Sequence, residues 1–105
     1  MATYSNLFID QGSDFNFTVD APVNLTGYTS RGQIRKSYTS STAVDFNISV
    51  NISEGKLVCS LTAAQTAALK AGRYVYDIVI LSDDSPAVVT RVIEGQVDVN
   101  PRVTI

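Results

Sequence analysis

Apolar and polar residues alternate along most of this chain, with the period of two that marks a strand buried on one face. The longest such run is Ala43 to Ile52, where Val44, Phe46, Ile48, Val50 and Ile52 alternate with Asp45, Asn47, Ser49 and Asn51. Phe15, Phe17 and Val19 oppose Asn16 and Thr18, and Leu57, Cys59 and Leu61 share another inward face. In Tyr28 to Lys36, Tyr28 and Ile34 share a side with Ser30 and Gly32, while Arg31, Gln33 and Arg35 point outward. Tyr74, Tyr76, Ile78 and Ile80 form one face of the strongest strand. Turn residues separate the runs: Asp10 to Ser13, Asp20-Ala21-Pro22, the polar loop Tyr38 to Thr42, Ser53 to Lys56, and Asp83 to Pro86. This spacing predicts strands over 4–9, 14–19, 28–36, 43–52, 57–61, 73–81 and 87–99, a sandwich or barrel pattern. Gly95 is expected to mark a bulge or bend in the last of them, and Asn100-Pro101 to stop it, leaving a short tail over 102–105.

One helix interrupts the strands, over 63–71. Thr62 and Gln65 form the sequence of a capping box, and the alanine-rich run after it favours a helix. Lys70 suits the negative end of the helix dipole, and Gly72 suits a left-handed residue after the last turn. At about two and a half turns the helix is marginal alone. It must dock on the strands, with Leu69 as anchor.

The helix leads into Ala71-Gly72-Arg73-Tyr74-Val75-Tyr76. That run resembles the corner of immunoglobulin-like domains, where a tyrosine at the start of the sixth strand bonds back to upstream backbone. Tyr74 takes that place, with Gly72 before it, and Tyr76 stands where antibody domains put a cysteine. With no cysteine pair and no tryptophan, an antibody-type domain is excluded. The expected fold is one all-β, immunoglobulin-like sandwich over 1–105, of about seven antiparallel strands with one short helix.

Composition narrows the function more by exclusion. Of 105 residues, 45% are hydrophobic and 17% charged, enough for an ordinary core and too little charge for a disordered chain. The net charge is −2 and the eight basic residues are scattered, so no nucleic-acid partner is expected. The start, Met-Ala-Thr-Tyr-Ser-Asn, lacks a signal-peptide pattern, and Ile78 to Leu81 is too short to cross a bilayer. The single cysteine cannot form an intrachain disulfide, which fits a reducing compartment or assembly there. Four Asn-x-Ser/Thr triplets begin at Asn16, Asn24, Asn47 and Asn51; without a signal peptide they are expected to be polar strand faces rather than glycan acceptors.

Absence of histidine removes Ser–His, Cys–His and His–metal sites together. Cys59 is expected to be a small buried apolar residue, with no base to activate it. Asp83-Asp84-Ser85 lacks the ligands of a calcium loop. Neither an enzyme nor a cofactor is expected.

Three stretches carry a further resemblance: Asn24 to Arg35, Leu61 to Asp77, and Val88 to Val97 with Pro101. Together they resemble a family of short tailed-bacteriophage proteins, similar to the immunoglobulin-like N-terminal domain of baseplate upper proteins. The resemblance covers nearly the whole chain, on moderately specific strand and corner patterns. It implies a structural virion component, made in the bacterial host cytoplasm, acting at the tail, baseplate, fibre attachment or neck through contacts with other virion proteins in a symmetric assembly. The alternatives are a capsid decoration protein and a host-surface carbohydrate-binding module. The last is disfavoured because most aromatics alternate inward and none forms an obvious exposed platform.

One strand points to a contact surface. If Tyr74, Tyr76, Ile78 and Ile80 face the core, Val75, Val79 and Leu81 stand on the opposite side, beside Asp77. A solvated face should be polar. These three therefore need a cover: the helix, the 102–105 tail, or another subunit.

Overall fold

The computed structural model of the chain describes residues 3–21, 23–40 and 43–103. Met1 and Ala2, Pro22, Ser41 and Thr42 of the polar loop, and the Thr104–Ile105 end of the expected tail lie outside the described residues. Among the described residues nine strands and one helix follow in order: β1 (Thr3–Tyr4), β2 (Leu7–Asp10), β3 (Phe15–Asp20), β4 (Thr29–Arg35), β5 (Ala43–Asp45), β6 (Asn47–Asn51), β7 (Lys56–Leu61), α1 (Ala63–Ala68), β8 (Gly72–Leu81) and β9 (Val89–Asn100).

They form an all-β sandwich. The larger sheet runs β1-β9-β8-β4-β5, with β2 also beside β9, and the smaller runs β3-β7-β6. In immunoglobulin lettering the small sheet is B-E-D and the centre of the large one is G-F-C. The expectation of purely antiparallel strands is corrected at the first strand: β1 and β2 lie parallel to β9, so the large sheet is mixed. The single expected strand over 4–9 is also broken at Ser5–Asn6, because these residues serve β9 individually. Ser5 N–H donates to the Glu94 carbonyl at 2.8 Å, and Asn6 Oδ1 accepts from Gln96 N–H at 3.2 Å.

The strand expected over 43–52 is divided between the sheets. β5 pairs with β4 and β6 with β7. Phe46 makes the crossing: its N–H still bonds the Gly32 carbonyl at 2.9 Å, while its side chain is buried in the core. Alternation survives the crossing because both sheets share one interior. It fails at Ile52, which is 53% exposed in the turn before β7 rather than inward. Gly32 makes room at the crossing, since a Cβ there would meet Ile78 Cδ1 at 2.2 Å and Phe46 Cδ2 at 3.2 Å.

Leu57, Cys59 and Leu61 of β7 face Ile34, Tyr76, Ile78, Ile80, Val97 and Val99 across the core. Phe17, Phe46 and Tyr76 meet edge to face, with centroids 5.6 to 6.3 Å apart, a favoured aromatic geometry. Helix α1 ends at Ala68, three residues short of the expected end, with Leu69 already extended. Leu69 is buried as the anchor, and Lys70 lies beyond the last turn. Gly72 has φ +141° but begins β8 rather than capping the helix. The bulge in β9 falls at Val92, where the register with β8 shifts, not at Gly95. Gly95 is a site of close approach instead, since a Cβ there would lie 2.0 Å from the Ser5 carbonyl oxygen.

Candidate contact face and corner

Side chains on the outer side of the large sheet fall into cross-strand rows fixed by the register. One row reads Arg31, Val79, Arg91, and the next reads Asp45, Gln33, Asp77, Glu94, Tyr4. Beyond the first lie Thr29, Leu81 and Val89, and beyond the second lie Ala43, Arg35, Val75 and Gln96. A basic row thus lies beside an acidic one, with aliphatic side chains flanking both.

Val75, Val79 and Leu81 are all half-buried on this face. Val79 and Leu81 join Val89 in lining a shallow depression of about 280 Å³, with Arg31, Gln33 and Asp77 on its other side. Val88 and Val89 are 57% and 59% exposed. Neither expected cover reaches the three residues among the described ones. Helix α1 is held at one end of the sandwich: its Ala63 N–H donates to Asp14 Oδ1 at 2.8 Å, and Thr66 Oγ1 accepts from Gly12 N–H at 3.0 Å. The tail runs past the same end, where Arg102 N–H donates to Gln11 Oε1 at 3.4 Å and Val103 is 98% exposed.

Arg91, Asp77 and Glu94 on the face are paired within the molecule. Arg91 Nε lies 3.2 Å from Asp77 Oδ2, and its Nη1 lies 3.6 Å from Glu94 Oε1. Gln33 Nε2 donates to Asp45 Oδ1 at 2.8 Å. These groups are partly exposed, so the ion pairs contribute little to stability. Their effect is to set a pattern of charge. Tyr4 and Phe8 stand exposed at the β1–β2 margin of the large sheet, and Tyr38 in the loop after β4. Inward alternation did not identify these three; edge positions and a loop placed them outside.

At the corner, the Tyr74 hydroxyl donates to the Lys70 carbonyl at 2.7 Å. Its ring is half-buried, and Lys36 Nζ sits 4.8 Å over it, a cation–π distance. Gly72 lies between the two ends of that bond. A second tyrosine tie was not legible: the Tyr76 hydroxyl donates to the Ser5 carbonyl at 2.6 Å. Thr66 was missed as well. It is fully buried, and its hydroxyl donates to the Ser13 carbonyl at 2.8 Å while accepting from Gly12. Only its place on the inner side of an amphipathic helix could have singled it out.

Cys59 is completely buried, and burial pushes its thiol up to about 12. Burial, reinforced by nearby Cys59, likewise pushes the Tyr76 phenol up to about 12, against a small opposing effect of its bond to Ser5. Both groups are therefore neutral at ordinary pH and sealed from substrate. Among the described residues no three His, Cys, Asp or Glu side chains converge as a metal site, and no helix is long and apolar enough to cross a membrane. Asn24 Oδ1 accepts from Thr26 N–H at 2.9 Å, and Asn51 Oδ1 from Glu54 N–H at 3.2 Å. The Asn24 triplet therefore builds a turn rather than a strand face, and Asn51, the last residue of β6, also ties the turn that follows it.

No protein-family model matches the chain, and no curated protein matches it in sequence. Among solved structures it is similar to an internalin-like protein of Listeria monocytogenes, at 17% identity and a TM-score of 0.49. The similarity covers 94% of this chain and 28% of that one, so the chain spans little more than a quarter of that neighbour's length.

Proposed function

We propose that the chain is a structural module of a tailed-bacteriophage virion, joined to other virion proteins through the outer face of its large sheet. The observation that carries the contact role is the uncovered set Val75, Val79 and Leu81 in the middle of that face. Val79 and Leu81 adjoin exposed Val89, while Val75 stands apart beyond Asp77 and beside Tyr38, and exposed apolar surface of this kind commonly marks an interaction site. The virion assignment rests on the sequence stretches Asn24–Arg35, Leu61–Asp77 and Val88–Val97. A tail, baseplate, fibre-attachment or neck position is preferred; a place on the outer capsid shell would use the same face.

Each of the three side chains is half-buried already. Completing their burial would contribute about 2–4 kcal/mol in all before ordering costs, half of what fully exposed residues would give. Such a contact is weak alone and effective when many copies act together. The test replaces Val75 and Val79 with Thr together. The isolated domain is expected to keep its melting temperature, because neither side chain is in the core, while incorporation into particles falls. Normal incorporation of the double variant would overturn this use of the face.

A further inference from the structure

The charge pattern of the outer face is self-complementary, and we propose that its occupant is a second copy of this chain, packed face to face about a two-fold axis. The proposal rests on the reading of this face as a contact surface and names the partner.

The register selects the axis. A face-to-face pair has its two-fold axis in the plane of the interface, and the same patch serves both copies. If the axis runs along the strands over β8, Arg31 of one copy opposes Arg91 of the other, like charge on like. If it runs across the strands over Ile78, the basic row of each copy lies on the acidic row of the other. Arg91 then meets Glu94 of the second copy, and Arg31 meets the Gln33–Asp45 pair. Such complementarity favours the second arrangement, since opposed like charges are strongly disfavoured across an interface.

The end positions of the β8 face obey the same axis, whereas Val79 of each copy falls over Asp77 of the other. Val75 and Leu81 lie at equal separations on either side of Ile78, so the axis brings Val75 of one copy onto Leu81 of the other. This accounts for aliphatic residues at both ends of an outward strand face. The protein measures 45 × 30 × 20 Å, and the broad side of a two-layer sandwich is a sheet face. That side is large enough for the roughly 800 Å² per partner of a standard interface.

Site-directed cross-linking of the full chain tests the geometry. Positions 75 and 81 on one strand are about 20 Å apart at ~3.3 Å per residue, so about this axis like positions of the two copies are equally far apart and only 75 and 81 meet. Buried Cys59 does not compete. Val75→Cys and Leu81→Cys proteins are prepared separately and treated, alone or as an equal mixture, with a short bis-maleimide that spans the roughly 10 Å between stacked sheets. Covalent dimer should form in the mixture and be scarce in either protein alone. Dimer from each protein alone, or from none of the samples, overturns the proposal. Sedimentation equilibrium gives a second reading. The native chain should dimerise, Glu94→Arg should weaken dimerisation about tenfold or more, and adding Arg91→Glu should restore it. Each variant's melting curve verifies folding. A native chain that stays monomeric to millimolar concentration overturns the self-pairing. If the Val75→Thr, Val79→Thr protein nevertheless fails to enter particles, the contact face survives with a different partner. If it enters normally, the contact reading falls too.

Discussion

The Tyr76 hydroxyl reaches the Ser5 carbonyl across 71 positions of sequence, while its ring packs against Phe17 and Phe46 in the core. One side chain thus joins the first strand to the aromatic centre. Tyr76→Phe keeps the packing and removes the bond, so it should cost about 1–2 kcal/mol, read as a lower urea midpoint at unchanged slope. Gly95 acts on the same junction from the other side. In Gly95→Ala the new methyl collides with the Ser5 carbonyl, and backbone cannot yield as a flexible side chain can. A cost of about 1–3 kcal/mol is expected for such overpacking. Hydrogen exchange locates it: the Ser5 and Gln96 amides should lose protection while β4 and β8 keep theirs.

Helix α1 has only six residues, too few to persist through its own backbone bonds. Three kinds of contact hold it. The capping box closes its start, with Gln65 N–H donating to Thr62 Oγ1 at 3.2 Å and Thr62 N–H to Gln65 Oε1 at 2.8 Å. Leu69 enters the core behind it. Thr66 bonds the β2–β3 turn with both capacities of its hydroxyl. Thr66→Val has nearly the same shape but leaves the part-buried Gly12 N–H and the Ser13 carbonyl without that partner. A loss of about 1–3 kcal/mol follows, and Thr66→Ser should recover most of it. Chemical denaturation of the two variants side by side checks this; equal losses would show that the methyl, not the hydroxyl, matters.

Stability of the whole molecule should depend on alkaline pH through two buried groups. Cys59 ionises near 9.0 and Tyr76 near 10.0 when unperturbed, and the folded state pushes both to about 12. Below about pH 8 both states hold these protons, and the groups add no pH dependence. Above it the unfolded chain releases protons that the folded chain keeps, so stability falls as pH rises toward 12. Each fully released proton contributes a slope of about 1.4 kcal/mol per pH unit. Cys59→Ala should nearly remove the decline between pH 9 and 10 and about halve the slope above it, where Tyr76 alone remains. Urea unfolding from pH 8 to 11 measures both. An equal decline in the variant would assign it to other groups.

Period-two alternation was enough to locate the strands, because a residue's side of its own strand is a local property. The Thr62–Gln65 pair located the helix start, and Gly72-Arg73-Tyr74 the corner, for the same reason: each depends on neighbours within a few residues. Pairing is different, since backbone hydrogen bonds are the same for every residue type. Nothing in Tyr4 to Ile9 says that it lies parallel to β9, and nothing in Ala43 to Asn51 says that Phe46 carries it from one sheet to the other. The roles of Gly32 and Gly95 depend on Ile78 and Ser5, which are distant in sequence. Alternation also showed that Val75, Val79 and Leu81 face away from the core. Only the tertiary structure decided that α1 and the described part of the tail are held at the end of the sandwich, because Gln11, Gly12 and Ser13 bind them there and leave the outer face open.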